Sequence, residues 1–154
     1  PNGVQAYCPD MPELVQTSLN LGIAKLGDRF TATFSVRSSV NAEKEGLITK
    51  LKELADFYNG TYSQSGTYPA WEFKKDSRLR DVMVPIYTRM FGKEPKVLAI
   101  HAGLECGLLG DKLPGLDCVS IGPQMHDIHT SREKLEIAST KRTWDFLLEV
   151  LKAL

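Results

Sequence analysis

The sequence predicts a mixed α/β fold in which an antiparallel β-sheet with helices precedes an α/β arrangement. Two strand-like runs, 18–26 and 29–37, flank a short Gly-Asp turn, which is typical of a β-hairpin. Two short and nearly continuous apolar runs, 96–102 and 117–122, lie in the second half among helical patterns. Such runs are typical of strands that are covered on both faces. The two halves of the chain are therefore expected to contain different kinds of sheet.

The first half is predicted to form a hairpin, a helix and a returning strand. Within 29–37, apolar residues alternate with Thr, Ser and Arg, and this period of two places Arg37 on the polar face. Apolar residues at helical spacing follow, in a helix that Asn41 is expected to cap and Gly60 to end. The segment TYSQSGTY is expected to return as a strand.

The second half is predicted to begin at Pro69, where the strand pattern stops and a polar segment follows. A boundary between two lobes is therefore expected there. The next helical stripe has Asp76 as its expected N-cap and ends at Gly92. It contains Pro85, which should kink the helix or mark an irregular first half. One stripe of the last helix carries Trp144, Leu147, Leu148 and Leu151.

The composition argues against several classes of protein. Lys plus Arg and Asp plus Glu number 19 each, so no net positive field favours nucleic acid or an anionic membrane. No apolar run reaches the length of a transmembrane helix. The three cysteines show no Cys-x-x-Cys spacing, which makes a disulfide framework a poor explanation and favours a reducing cytoplasm.

Two loops after the apolar runs hold the residues that are best suited to chemistry. In an open α/β sheet, ligands bind beyond the carboxyl ends of the strands, and both HAGLECG and GPQMHDIHTSREK occupy that position. His129 in the second loop is a candidate zinc ligand, because imidazole suits zinc. A zinc site needs three or more protein ligands, and the sequence shows no second dense cluster of His, Cys and carboxylate residues. A hydrogen-bonded or exposed histidine is therefore the alternative, and it is preferred for His101 and His126.

Cys106 raises a second kind of chemistry, that of a Cys-His hydrolase. The sequence shows neither a nucleophile-elbow motif nor an obvious orienting Asn or Asp. A small, buried, hydrophobic thiol is the better account of this residue.

Five segments of the chain carry a resemblance to a known enzyme family: TSLNLG, FSVRS, IHAGLECGL, DCVSIGP and HTSREK. Together they are similar to the C-terminal portion of the cytosolic aminoacyl-histidine dipeptidases, also called peptidase D. These enzymes are di-zinc metallopeptidases related to carnosinase and the aminoacylases. The resemblance covers essentially the whole chain, and HAGLECG is a highly specific motif.

The resemblance implies a fold made of parts of two domains. In this family, a di-zinc α/β catalytic domain carries an inserted antiparallel-sheet lid, which also forms the dimer. Residues 1–68 would be the C-terminal part of the lid and dimerisation domain, and residues 69–154 the C-terminal part of the catalytic domain. The chain also starts at Pro1 rather than Met, in the turn-like PNGV. We therefore expect a fragment of a longer protein.

The resemblance also implies roles for four residues. His129 matches the C-terminal zinc ligand of the family. Arg37 matches the lid arginine that holds the C-terminal carboxylate of the substrate, and a planar guanidinium suits that contact; a solvated arginine at a strand end is the alternative. Gly103 matches a glycine whose backbone lines the substrate pocket, or is a simple turn glycine. Glu105 is a candidate for the substrate's amino group by charge complementarity, or is a solvated loop glutamate.

No catalytic residue is expected within the chain, because the general base and the other metal ligands of the family lie upstream. The resemblance implies that the intact enzyme hydrolyses Xaa-His and other dipeptides with two zinc ions, or with manganese or cobalt. It also implies a cytoplasmic homodimer formed through the lid, without nucleic acid or membrane as a partner. The alternatives are an aminoacylase-type deacylase and a non-catalytic α+β binding or dimerisation module. The chain by itself is expected to be inactive.

Overall fold

The computed structural model describes residues 2–154, so Pro1, the first residue of the turn-like start, lies outside the described residues. The described chain has a mixed α/β architecture with antiparallel strand pairing, as predicted. None of the helices in residues 2–154 combines the length and the apolar character of a membrane-spanning helix. The elements in chain order are β1 (Gly3–Cys8), β2 (Met11–Leu26), β3 (Phe30–Ser38), α1 (Asn41–Phe57), α2 (Arg78–Phe91), α3 (Glu105–Lys112), β4 (Met125–His126), β5 (Lys134–Leu135) and α4 (Ile137–Ala153).

The chain forms two compact units. The first contains the residues up to Phe73 together with Leu98–Gly115, and the second contains Lys74–Val97 together with Leu116–Leu154. The three-stranded sheet, α1 and α3 thus belong to the first unit, while α2, α4 and the short β4–β5 pair belong to the second. The expected domain boundary at residue 68 concerns a longer enzyme and stays a prediction.

The sheet of the first unit is antiparallel, with the order β1-β2-β3. The predicted hairpin between β2 and β3 is confirmed, and its ladder closes with Leu26 opposite Phe30. Along β3 the side chains alternate between exposed and half-buried, so Arg37 lies on the exposed face, as the period of two predicts. A register shift between Leu21 and Ile23 interrupts the ladder. The third strand, β1, was not predicted from the sequence.

Helix α1 packs against the sheet through a core that is partly polar. Leu19 on β2 and Leu47 on α1 are buried, with Leu19 fully excluded from solvent. Beside them, the carboxylate of Glu43 accepts hydrogen bonds from the side chains of Gln16 (2.7 Å) and Thr17. Buried polar groups need such partners, because desolvation without a hydrogen bond is costly.

Both predicted ends of α1 differ in detail from the structure. Val40 occupies the N-cap position without a side-chain hydrogen bond. The side-chain oxygen of Asn41 instead accepts from the backbone N–H of Ala70 at 2.9 Å, a tertiary contact that replaces the predicted cap. At the other end, Asn59 takes the left-handed conformation (φ 53°) one residue before Gly60. Asn tolerates this region better than most residues, so a glycine is not required there.

The predicted return strand TYSQSGTY is wrong, because no residue between 61 and 68 pairs in a sheet. This segment leads instead to residues that pack beside the N-terminus of α1. The ammonium of Lys44 donates to the carbonyl oxygen of Tyr68 and to the side-chain oxygen of Asn41. These side-chain hydrogen bonds of Lys44 thus hold the segment, in place of the strand pairing that was expected.

The second unit is held together by α2 and α4. Met83 and Ile86 from α2 and Phe146 and Val150 from α4 form its buried cluster. The ring of Tyr87 meets that of Phe146 edge to face at 5.5 Å between centroids, a favourable arrangement. The helix predicted at the chain's end is confirmed. Its buried apolar side chains are Phe146 and Val150, whereas the four residues of the predicted stripe, Trp144, Leu147, Leu148 and Leu151, are exposed.

The ends of α2 follow local rules. Ser77, rather than the predicted Asp76, is the N-cap, and its side chain accepts from the N–H of Arg80 at 3.1 Å. The helix continues through Pro85 and ends at Gly92, which has φ 68°, as predicted for a C-terminal glycine.

Asp117 supports the start of α2 from a distant part of the chain. Its carboxylate accepts hydrogen bonds from the N–H of Leu79 (2.9 Å) and the hydroxyl of Ser77 (3.0 Å). Burial raises the pKa of Asp117, but these hydrogen bonds and the charges of Lys74 and Arg80 outweigh that effect, so the pKa lies below its ordinary value.

The two apolar runs predicted as covered strands do not form strands in residues 2–154. In the first run Ala99 is buried, but Leu98 is 71% exposed. In the second run Ile121 is 44% exposed. A strand needs a hydrogen-bonding neighbour, and the described residues place none beside these segments. The prediction of strands covered on both faces is therefore wrong for this chain.

Candidate functional site

Arg37 lies near the end of β3 on the exposed face of the sheet. Its Cα partner across the ladder is Ser18 of β2. Residues directly opposite each other in an antiparallel pair project their side chains from the same face, about 5 Å apart at Cβ. The side chains of Arg37 and Ser18 therefore project from the same face of the sheet.

His101 joins this pair from a distant part of the first unit. Its Nε2 lies 3.2 Å from the Ser18 hydroxyl oxygen, within hydrogen-bonding distance. Burial lowers the pKa of His101, and the positive charge of Arg37 lowers it further. The imidazole is therefore hydrogen-bonded, with a pKa below its ordinary value. A hydrogen-bonded role is one of the two that the sequence favoured over metal binding.

Gly103 makes a close approach to an aromatic ring. A Cβ atom at this position would lie 2.8 Å from Cε2 of Tyr68. The φ angle of Gly103 is not positive, so a left-handed backbone does not explain why this residue is glycine. Tyr68 itself is held by the Lys44 ammonium, which donates to its carbonyl oxygen and lies 5.8 Å from its ring centroid. A packing constraint therefore accounts for glycine here.

Glu105 is the first residue of α3, a helix in a segment that was predicted to be a loop. Its side chain is exposed, and an acidic residue in the first turn interacts favourably with the helix dipole. Cys106 follows with a half-buried side chain that forms no disulfide bond. Gly107 is buried, and a Cβ atom there would lie 3.1 Å from the carbonyl oxygen of Pro69. This motif thus forms a short helix packed on the segment that follows Tyr68.

His129 lies in the loop between β4 and β5, which pair antiparallel. Its backbone is left-handed, with φ 64°, and so is that of Asp127, with φ 50°. The N–H of His129 donates to the carboxylate of Glu133 at 3.0 Å, and the hydroxyl of Thr130 donates to the carbonyl of Asp127 at 2.7 Å. These contacts hold an uncommon backbone conformation, which in proteins is enriched at functional positions. The imidazole is exposed at the surface of the loop.

The structure places the predicted residues in different units. Arg37, Gly103 and Glu105 belong to the first, and His129 belongs to the second. Within residues 2–154, no group of three or more His, Cys, Asp and Glu side chains is arranged to hold a metal ion. Two further residues were missed: Ser18, which lies opposite Arg37 in the ladder, and Tyr68, whose ring lies beside Gly103. Their contacts depend on pairing register and packing, which no local motif reveals.

The fold of the chain matches part of two solved peptidase structures. It superimposes on aminoacylhistidine dipeptidase from Vibrio alginolyticus with a TM-score of 0.89 and 31% identity, covering 100% of this chain and 32% of that one. Aminopeptidase PepT from Bacillus cereus matches with a TM-score of 0.67 over 88% of this chain and 39% of that one, and at 18% identity this likeness is one of fold alone.

Sequence comparison points to the same enzymes. The chain is 33% identical over 153 residues to the cytosol non-specific dipeptidase of Escherichia coli (strain K12), which is 99% of this chain and 32% of that protein. It is therefore homologous to these dipeptidases and spans about a third of their length (32%). No protein-family model matches the chain. The resemblance inferred from the motifs is confirmed.

Proposed function

We propose that this chain is part of a metal-dependent dipeptidase that hydrolyses dipeptides with a free C-terminal carboxylate. The observation that carries this proposal is the similarity to two dipeptidases over essentially the whole chain, at 33% and 31% identity. The chain spans 32% of each relative, so the activity would belong to a longer protein. Its substrates would be Xaa-His and other dipeptides.

His129 would supply one ligand to the metal, which is zinc or, in its place, manganese or cobalt. An exposed imidazole on a loop fixed by backbone hydrogen bonds fits this task, because the ring is accessible while its attachment is held in place. Zinc sites need at least three protein ligands, so the remaining ligands and the general base would come from outside residues 2–154. When bound, such a metal polarises a carbonyl group and lowers the pKa of a water molecule.

Arg37 would bind the C-terminal carboxylate of the dipeptide. The exposed position on β3 leaves its guanidinium accessible, and this group binds carboxylates through two parallel hydrogen bonds. Burial and the charge of Arg37 lower the pKa of the neighbouring His101, which favours its neutral form and leaves Arg37 as the main positive charge at this site. Gly103 would line the pocket with its backbone. Glu105 would attract the amino group of the substrate.

The assembly and location of the enzyme are part of the same proposal. We infer a cytoplasmic homodimer formed through the lid, with neither nucleic acid nor a membrane as its partner. Acidic and basic residues number 19 each, so the chain has no net positive charge to attract phosphates. This balance supports the inference that neither nucleic acid nor a membrane is a partner.

The metal role of His129 is tested in the intact protein with His129→Ala. The expected result is a large loss of both bound metal, measured by elemental analysis, and dipeptide hydrolysis. His126→Ala is the matched control, because His126 is exposed on the same hairpin, and it should keep both properties. Normal metal content and rate in His129→Ala would remove the assignment. The wild-type protein separates the alternative functions. If it hydrolyses N-acyl amino acids in preference to dipeptides, an aminoacylase-type deacylase is favoured. If it hydrolyses neither, a non-catalytic module is favoured.

The carboxylate role of Arg37 is tested with Arg37→Ala, by comparing free dipeptides with their C-terminal amides. We expect KM for the free dipeptides to rise and the preference over amides to be lost. A contact with a charged partner corresponds to about 1.5–3 kcal/mol. Arg29→Ala is the control, because Arg29 is another exposed arginine beside the start of β3. An unchanged acid-to-amide ratio in Arg37→Ala would contradict the assignment.

A further inference from the structure

Ser18, Arg37 and His101 form a surface group that local sequence patterns do not reveal. Ser18 faces Arg37 across the β2–β3 ladder. His101 lies 83 residues from Ser18 in sequence, yet its Nε2 is 3.2 Å from the serine hydroxyl. Ser18 is half-buried, Arg37 is exposed and His101 is half-buried. All three residues belong to the first compact unit.

The chemistry of this group suits a carboxylate. A guanidinium binds a carboxylate strongly, but the anion can accept further hydrogen bonds from neutral donors. A serine hydroxyl can accept one hydrogen bond and donate another. If Nε2–H of His101 donates to the Ser18 oxygen, the hydroxyl hydrogen is left to donate to an anion beside Arg37. The lowered pKa of His101 favours the neutral ring, and this arrangement uses the tautomer that carries its one N–H on Nε2.

We propose that Ser18 is a second donor to the substrate carboxylate bound by Arg37, and that His101 is a positioning residue that directs the Ser18 hydroxyl. This inference rests on the proposed function of the chain and adds two residues to the recognition of the free C-terminus. His101 acts through Ser18 rather than by touching the substrate. The pair should therefore affect the preference for acids over amides and leave the chemical step unchanged.

The experiment uses the intact protein and measures kcat and KM for a free dipeptide and for its C-terminal amide. We expect Ser18→Ala to lower the acid-to-amide ratio of kcat/KM about tenfold, the size of a hydrogen bond to a charged group. The change should appear in KM for the acid, while kcat stays close to wild type. Ser35→Ala is the matched control, because Ser35 lies two residues before Arg37 on the same exposed face, and its ratio should not change.

The link to His101 is tested with two replacements. His101→Phe keeps a ring but removes the donor, and should lower the ratio to the same extent as Ser18→Ala. His101→Gln keeps an N–H donor and should restore most of the ratio. The double variant Ser18→Ala with His101→Phe should be no worse than either single variant, because both remove the same contact.

The possible results separate this inference from the proposed function. If wild type hydrolyses dipeptides and Arg37→Ala lowers the ratio while Ser18→Ala does not, the inference is wrong and the proposed function stands. The positioning role of His101 is likewise wrong if each His101 variant loses kcat/KM for the acid and for the amide to the same extent. An unchanged acid-to-amide ratio of this kind would indicate a structural role. If wild type neither hydrolyses nor binds either substrate, the inference and the proposed function fail together.

Discussion

Gly103→Ala offers a sharp test of how the candidate pocket is packed. The added Cβ would lie 2.8 Å from Cε2 and 2.9 Å from Cδ2 of the Tyr68 ring. Carbon atoms in good contact are about 3.5–4.0 Å apart, so the ring or the glycine segment must move by roughly 0.7 Å or more. The ring cannot move freely, because the Lys44 ammonium holds the Tyr68 carbonyl and lies near the ring face.

The expected cost follows from this geometry. Overpacking of a well-packed site costs about 1–3 kcal/mol. Gly103 is exposed and Tyr68 half-buried, so some relaxation toward solvent is available. We therefore expect Gly103→Ala to lower the free energy of unfolding of the first unit by about 1–2 kcal/mol. The same displacement should weaken dipeptide hydrolysis by the intact protein.

Gly110→Ala is a control of opposite sign. Gly110 lies inside α3, and a Cβ atom there would meet no atom within 4 Å beyond the nearby backbone of its own helix. Alanine in a helix interior is more stable than glycine by about 0.5–1 kcal/mol. Two alanines seven residues apart should thus change the stability in opposite directions.

The assay is urea unfolding followed by the fluorescence of Trp71 in a Trp144→Phe background. The chain has two tryptophans, and only Trp71 belongs to the first unit. In a Tyr68→Ala background the ring is absent, and Gly103→Ala should then cost less than about 0.5 kcal/mol. If Gly103→Ala is neutral with Tyr68 present, or costs as much without it, the proposed packing conflict is refuted.

Two further predictions concern the second unit, followed through Trp144. Phe146→Ala should lower the free energy of unfolding by about 3–5 kcal/mol, because Phe146 is 5% exposed and packs against Tyr87. Leu151→Ala, at a site that is 59% exposed, is the control and should cost about 1 kcal/mol or less. Equal costs for the two variants would contradict the assigned core. Asp117→Asn should cost about 1–2 kcal/mol at pH 7, and it should reduce the loss of stability on acidification. The pKa of Asp117 is lowered in the folded chain, so its contribution is present above the ordinary value of about 3.9 and disappears as the pH falls through the lowered pKa. Wild type and Asp117→Asn with parallel pH profiles in urea unfolding would contradict that role.

Local patterns in the sequence predicted several elements correctly. The hairpin of β2 and β3 followed from alternation around the Gly-Asp turn, and the exposed position of Arg37 followed from the same alternation. The end of α2 at Gly92 followed from the preference of left-handed backbone for glycine. These features depend on residues close together in the chain, so the sequence contains the information directly.

Motifs also led to the dipeptidase resemblance without any knowledge of the fold. The segments HAGLECG and HTSREK indicate the same dipeptidases to which the chain is similar in sequence and fold. The roles of Gly103, Glu105 and His129 in these two segments, and of Arg37 in FSVRS, remain predictions about function. The structure adds a packing reason for Gly103 and a strained loop for His129.

Tertiary structure alone decided the remaining features. The apolar run around Ala99 resembles a covered strand, but a strand requires a neighbour, and pairing is a property of the whole chain rather than of the run. Asn41 resembles a helix cap, yet its side chain bonds to Ala70, 29 residues away. His101 meets Ser18 across 83 residues because sheet register and the packing of the first unit bring them together. Such contacts are set by the free energy of the assembled fold, so the sequence near either residue cannot reveal them.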